Sequence, residues 1–186
     1  MNYLTIDLGY DVLRGTAHKI GAFVGYNRYR TLMNALGCIQ VTNPPSGVCN
    51  PPPVPPWQVG ISEDDTWNAL RLGVSADVQL SDRLGINLDL AYLPYVYVDS
   101  LDTHWLREPP LLFRTYGSGN GLQGELIVSY RLTKAFSVGI GGRYWSMWTN
   151  NTWSWPLGPL PTSGVTTLNT ERYGVFVQAS YQFGKP

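Results

Sequence analysis

Apolar and polar residues alternate with period two along seven segments of the chain. In the first, Leu4, Ile6, Leu8, Tyr10 and Val12 share one face, with Thr5, Asp7, Gly9 and Asp11 on the other. The second sets Ile20, Ala22, Val24 and Tyr26 against Gly21, Phe23, Gly25 and Asn27, and the third sets Leu70, Leu72, Val74, Ala76, Val78 and Leu80 against Arg71, Gly73, Ser75, Asp77 and Gln79. Leu84 to Tyr92, Leu126 to Leu132, Phe136 to Tyr144 and Tyr173 to Phe183 repeat the pattern. Successive side chains of a strand point to opposite faces, so each segment predicts a β-strand with one apolar face. The fold class expected is all-β.

Alternation alone also fits a soluble sandwich or a lipocalin-like barrel with the apolar face inside. That arrangement would bury Leu70, Leu72, Val74, Val78 and Leu80. Two further patterns favour a membrane barrel. Connections alternate between short (14–18, 81–83, 133–135) and long (40–67, 103–120, 150–170), the asymmetry of short periplasmic turns and long external loops. Aromatic residues also collect at strand ends, as interfacial belts require. Tyr26, Trp67, Tyr92, Tyr95, Trp145 and Trp148 fall toward the long connections; Tyr10, Tyr130, Phe136 and Tyr181 fall toward the short ones. The three lysines, Lys19, Lys134 and Lys185, lie at short turns or the terminus. The reading is an antiparallel up-and-down transmembrane β-barrel of the bacterial outer membrane, a single domain over 1–186, with its long loops outside.

Composition adds exclusions. No run approaches the ~20 apolar residues of a spanning helix, and 13 basic against 13 acidic side chains leave no net charge to recruit nucleic acid. The content of 7 Trp, 12 Tyr, 20 Gly and 14 Pro suits strands and turns. No signal-peptide pattern opens the chain. Bacterial barrels have an even strand number and periplasmic ends. Seven strands are visible, with the first and the last both descending. The expectation is therefore a chain lacking N-terminal strands, of an original ten or eight.

The chemistry-bearing residues are few. Cys38 and Cys49 flank a Pro-rich stretch in the first long connection, and a disulfide pinning that loop is expected. No metal ligand set or cofactor motif is present; His18 reads as a solvated turn residue. Arg71, Asp77, Asp89, Glu125, Arg131 and Arg143 lie on polar faces and read as a mutually compensated plug, with an open ion path as the other reading. Glu63-Asp64-Asp65 reads as a solvated loop segment, with attraction of a basic substrate as the other.

Asp102 and His104 stand in Ser100-Leu101-Asp102-Thr103-His104-Trp105, beyond the outer end of the fourth strand. An Asp two residues from a His can orient the imidazole as a general base for water. The last strand ends in Tyr181-Gln182-Phe183, resembling the C-terminal signature read by barrel-assembly machinery, although Gly184-Lys185-Pro186 follows. The strand order, the aromatic-rich connections and Asp102-Thr103-His104 together resemble the omptins, ten-stranded outer-membrane endopeptidases.

The resemblance implies catalytic roles for Asp102 and His104 in a fourth external loop, facing a pair of aspartates whose place falls before Met1. It implies as partners outer-membrane lipid, lipopolysaccharide included, and a peptide or protein substrate cut beside basic residues. On that reading this chain alone holds half of the constellation and is expected to be inactive without the missing aspartate pair. Where omptins carry another acid two residues before the Asp, this chain has Ser100, and its cysteine pair and Pro-rich segment are not features of the family. A non-enzymatic barrel (small porin, adhesin or structural protein) remains the alternative function.

Overall fold

The computed structural model describes residues 1–39, 53–157 and 164–183. They form one antiparallel sheet of β1 (Asn2–Arg14), β2 (His18–Cys38), β3 (Val54–Gln79), β4 (Leu84–His104), β5 (Leu111–Arg131), β6 (Phe136–Leu157), β7 (Gly164–Thr166) and β8 (Asn169–Tyr181). Each strand pairs with the next up to β6, whose far edge takes β7 at its upper end and β8 along the rest. No helix occurs among the described residues. The outer edges are β1 and β8, and no ladder joins them among the described residues. Interior side chains of β1 and β6 nonetheless meet across the curl: Tyr3 packs edge-on against Trp145, with ring centroids 5.3 Å apart.

The seven alternating segments coincide with the long strands, three of them running one or two residues past the strand end, and the three short connections close as tight turns. Gly15 N–H donates to His18 O (2.8 Å) in the first. In the other two the Ser81 and Thr133 hydroxyls accept from Leu84 N–H (3.1 Å) and Phe136 N–H (3.0 Å). The long connections are shorter than expected. β3 begins at Val54, and only residues 105–110 separate β4 from β5. Above the apolar band both strand faces carry polar residues. The backbone ladder continues there while its hydrophobic periodicity fades. Cys38 ends β2; Cys49, and with it the expected pairing, lies outside the described residues.

The apolar face points outward and the polar face inward, the reverse of a soluble barrel. Leu70 and Leu72 are 42% and 45% exposed, whereas Arg71 between them on the opposite face is 5% exposed. Outward-facing Tyr26, Tyr92, Tyr95 and Tyr144 ring the upper end of this band, and Tyr10, Tyr130 and Tyr181 the lower end. Trp67 and Trp145, expected in the belt, turn inward instead. Trp67 joins Tyr29, Leu93, Val96, Val98 and Met147 in the buried core, and Trp145 packs against it.

Inside the band the inner face is lined by paired charges. Arg71 bridges Asp7 of β1 (2.5 Å) and Asp89 of β4 (2.9 Å), and Arg143 donates to Glu125 (2.5 Å). Phe23 and Trp145 lie against the two guanidinium groups, at 5.1 and 5.4 Å from ring centroid to guanidinium carbon. Arg71 and Asp89, and Glu125 and Arg143, thus compensate one another as expected of a plug.

Candidate active site

Above the core, β3 and β4 run on side by side, flanked by β2 and β5. Its register pairs Ile61 with His104, Glu63 with Asp102, Asp65 with Ser100 and Trp67 with Val98. Residues i and i+2 of a strand share a face, so Glu63 and Asp65 follow Trp67 and Arg71 onto the inner surface.

β4 reaches that surface by a less direct route. In its lower half the odd positions Ala91 and Leu93 are buried and the even positions Leu90 and Tyr92 are exposed. Between Leu70 and Leu72 of β3, β4 carries one residue too many, at Leu93-Pro94, and the ladder to β5 shifts at the same place. This is a β-bulge, and the extra residue exchanges the faces of everything beyond it. Proline is tolerated in a strand at such a point, and Asn120 Nδ2 donates to its carbonyl (2.8 Å). Above the bulge Val96, Val98 and Ser100 are buried, and Asp102 and His104 follow them inward.

Asp102 and His104 do not sit in a loop; they are in the last three residues of β4. His104 Nε2 lies 3.2 Å from Asp102 Oδ2, both side chains being about two-thirds covered. A carboxylate only accepts, so the proton of the neutral imidazole resides on Nε2 and leaves Nδ1 as a free acceptor. The ring edge packs on Phe113 of β5, with centroids 5.5 Å apart. On the outer face the Trp105 indole N–H donates to Ser62 Oγ (2.8 Å), holding the end of β4 to β3.

The acidic triplet belongs to strand β3, correcting the solvated-loop reading. Asp64 faces outward and takes a forked pair from Arg30 (2.8 and 2.5 Å), which holds its carboxyl below the ordinary range. Glu63 and Asp65 face inward, above the upper tyrosine belt. Burial raises the Glu63 carboxyl, and the charges of Asp65 and Asp102 add to this. Asp65 is raised by burial against a lowering hydrogen bond from Ser100, with Asp64 and Asp102 adding to the rise. Asp65 is 8% exposed, and its Oδ1, like Asp102 Oδ1, is buried without a hydrogen-bond partner among the described residues. Sequence reasoning placed these acids wrongly; extending the polar face of β3 upward from Arg71 would have placed them.

The raised Asp65 carboxyl gives a pH-dependent stability. Its folded value lies above its unfolded one, so the penalty is absent below the unfolded value (~3.9) and grows as pH rises through the folded value. Asp65→Asn, which still accepts from Ser100, is expected to raise the urea midpoint at pH 8 and leave it unchanged at pH 3. Equal midpoints at both pH values would mean the carboxyl is not perturbed by folding.

No family model matches the chain, and no curated protein does. Among solved structures, the outer membrane protease OmpT from Escherichia coli superposes with a TM-score of 0.74 at 14% identity, covering 97% of this chain and 63% of that one. The chain has an omptin-like β-barrel fold. It spans less than two thirds of that neighbour's length. At this identity the likeness establishes the omptin-like fold.

Proposed function

We propose that this chain forms part of an outer-membrane barrel whose upper rim hydrolyses peptide bonds with water activated by His104 and oriented by Asp102. The observation that carries the reading is the 3.2 Å contact between His104 and Asp102 on the inner wall of the barrel mouth. The solved neighbour is named an outer membrane protease, and its fold is shared over nearly the whole chain. The surroundings suit the role. Trp67, Tyr29 and Val98 form a buried floor beneath the pair and the charged plug lies below them, so a substrate enters from above. Inward acids at Glu63 and Asp65 suit a basic peptide.

The outward apolar band and its two tyrosine rings fit a ~25 Å layer of lipid, crossed by ~10 residues of tilted strand. Outer-membrane lipid, lipopolysaccharide among it, contacts this band, and the strands beyond the upper ring stand outside the cell. In this reading Cys38 and Cys49 pair in the first external connection.

Two measurements test the reading. The protein folded in detergent micelles is incubated with basic peptides, against the same protein heat-denatured, and products are identified by mass spectrometry. Because β3 brings inward acids beside the Asp102–His104 pair, cleavage by the folded form is expected even without the aspartate pair that the resemblance calls for; none would favour the non-enzymatic barrel. Brominated-lipid quenching is expected to reach a tryptophan introduced at Leu72 or Val74 and not one at Ser75. Equal quenching would sink the membrane assignment.

A further inference from the structure

We propose that Glu63 is a catalytic residue of this site, the acid that protonates the departing amine. The proposal rests on the hydrolytic reading above and adds a group to it from the neighbouring strand. Glu63 is the direct cross-strand partner of Asp102, and side chains so paired have Cβ atoms ~5 Å apart. His104 is the next inward residue of β4, so acid and base flank the same opening.

The groups facing Glu63 favour a retained proton. Its own strand contributes Asp65, and β4 contributes Asp102 and His104. β2 places Met33 opposite Glu63 and Thr31 opposite Asp65, and neither titrates. β5 places Phe113 opposite Asp102 and Thr115 opposite Ser100. The nearby arginines are engaged elsewhere, Arg30 with Asp64 and Arg114 with Asp99. Three carboxyls thus share a half-buried surface with one imidazole, and like charges so placed do not all ionise. Burial and the neighbouring carboxylates raise Glu63 in the same sense. A separate observation points to a ligand here. Asp65 is more than nine-tenths buried on the same inner face, and its Oδ1 has no donor among the described residues. Such an acceptor suits an N–H group brought by a substrate.

The step balances. His104 Nδ1 takes a proton from water as its oxygen bonds to the carbonyl carbon. The tetrahedral adduct collapses, the C–N bond breaks with its electron pair going to nitrogen, and nitrogen takes the proton of Glu63. His104 then returns its proton, through solvent, to the Glu63 carboxylate. The products are one carboxylic acid and one amine.

The test is the pH profile of kcat for peptide hydrolysis by the folded protein, its Glu63→Gln and Glu63→Asp variants, and His104→Ala. Folding of each is checked by its gel mobility before and after heating. Glu63→Gln is expected to lose ~10²–10⁴ in kcat together with the alkaline limb of the profile, and Glu63→Asp to restore that limb. If Glu63→Gln keeps kcat and both limbs while His104→Ala is inactive, Glu63 has no such role and the Asp102–His104 reading stands. If His104→Ala matches the parent, active or inactive, both fall.

Discussion

Replacing His104 with alanine is expected to reduce peptide hydrolysis by ~10²–10⁴-fold in kcat, the usual contribution of a positioned general base. The barrel should stay folded. His104 is the terminal residue of β4, and its aromatic contact is with Phe113 at the rim. Removing it therefore opens no cavity in the core of Tyr29, Trp67 and Leu93 beneath. Asp102→Asn tests the other half of the pair. An amide that turns its NH2 toward Nε2 makes that nitrogen the acceptor and moves the ring proton to Nδ1, the atom that must receive the proton of water. Its loss should be comparable in kcat, with little change in KM. A variant losing KM and not kcat would show that His104 only helps to hold the peptide.

Arg71→Met is expected to be the most destabilising single change in the described lumen. The guanidinium is almost fully buried and holds both Asp7 of β1 and Asp89 of β4, tying the first strand to the fourth across the interior. Truncating one member of such a pair typically costs ~3–5 kcal/mol, because its partners keep their charges without compensation. Here the lower figure applies, ~3 kcal/mol, since the two aspartates retain about a quarter to a third of their surface. The measurement is the urea midpoint of tryptophan fluorescence in micelles. Combining Arg71→Met with Asp7→Asn and Asp89→Asn should recover most of the loss, because no charge is then left unpaired. Failure to recover would mean that Arg71 acts by packing against Phe23, with which it stacks.

The sheet was legible where outward-facing and inward-facing residues differ most. Along Leu70–Leu80 and Tyr173–Phe183 the alternation is nearly unbroken, so strand, face and turn all followed. It was least legible above the tyrosine belt. The outer face there carries Asp64, Asp99, Arg30 and Arg114, paired across neighbouring strands. Polar residues then occupy both faces and the period vanishes from the sequence, although the ladder continues. For that reason Glu63, Asp65, Asp102 and His104 were read as loop residues. The tryptophans were misplaced for a related reason. Position along a strand does not say which face a ring takes, and Trp67 lies on the parity of Arg71, toward the interior.

The sequence by itself determined the all-β class, the seven long strands, the short turns at Ser81 and Thr133, the outward apolar band and the i, i+2 spacing that lets Asp102 touch His104. These depend on neighbours along the chain and on the two-residue period of a strand. Only the tertiary structure decided which way that pair faces. Carried straight up from Leu88, Leu90 and Tyr92, the alternation would turn Asp102 and His104 outward. The bulge at Leu93-Pro94 exchanges the faces, and it is visible only in the register of β4 against β3 and β5. The approach of Glu63 to Asp102 has the same origin. It comes from strand pairing between residues distant in the chain, and a one-residue slip would have abolished it.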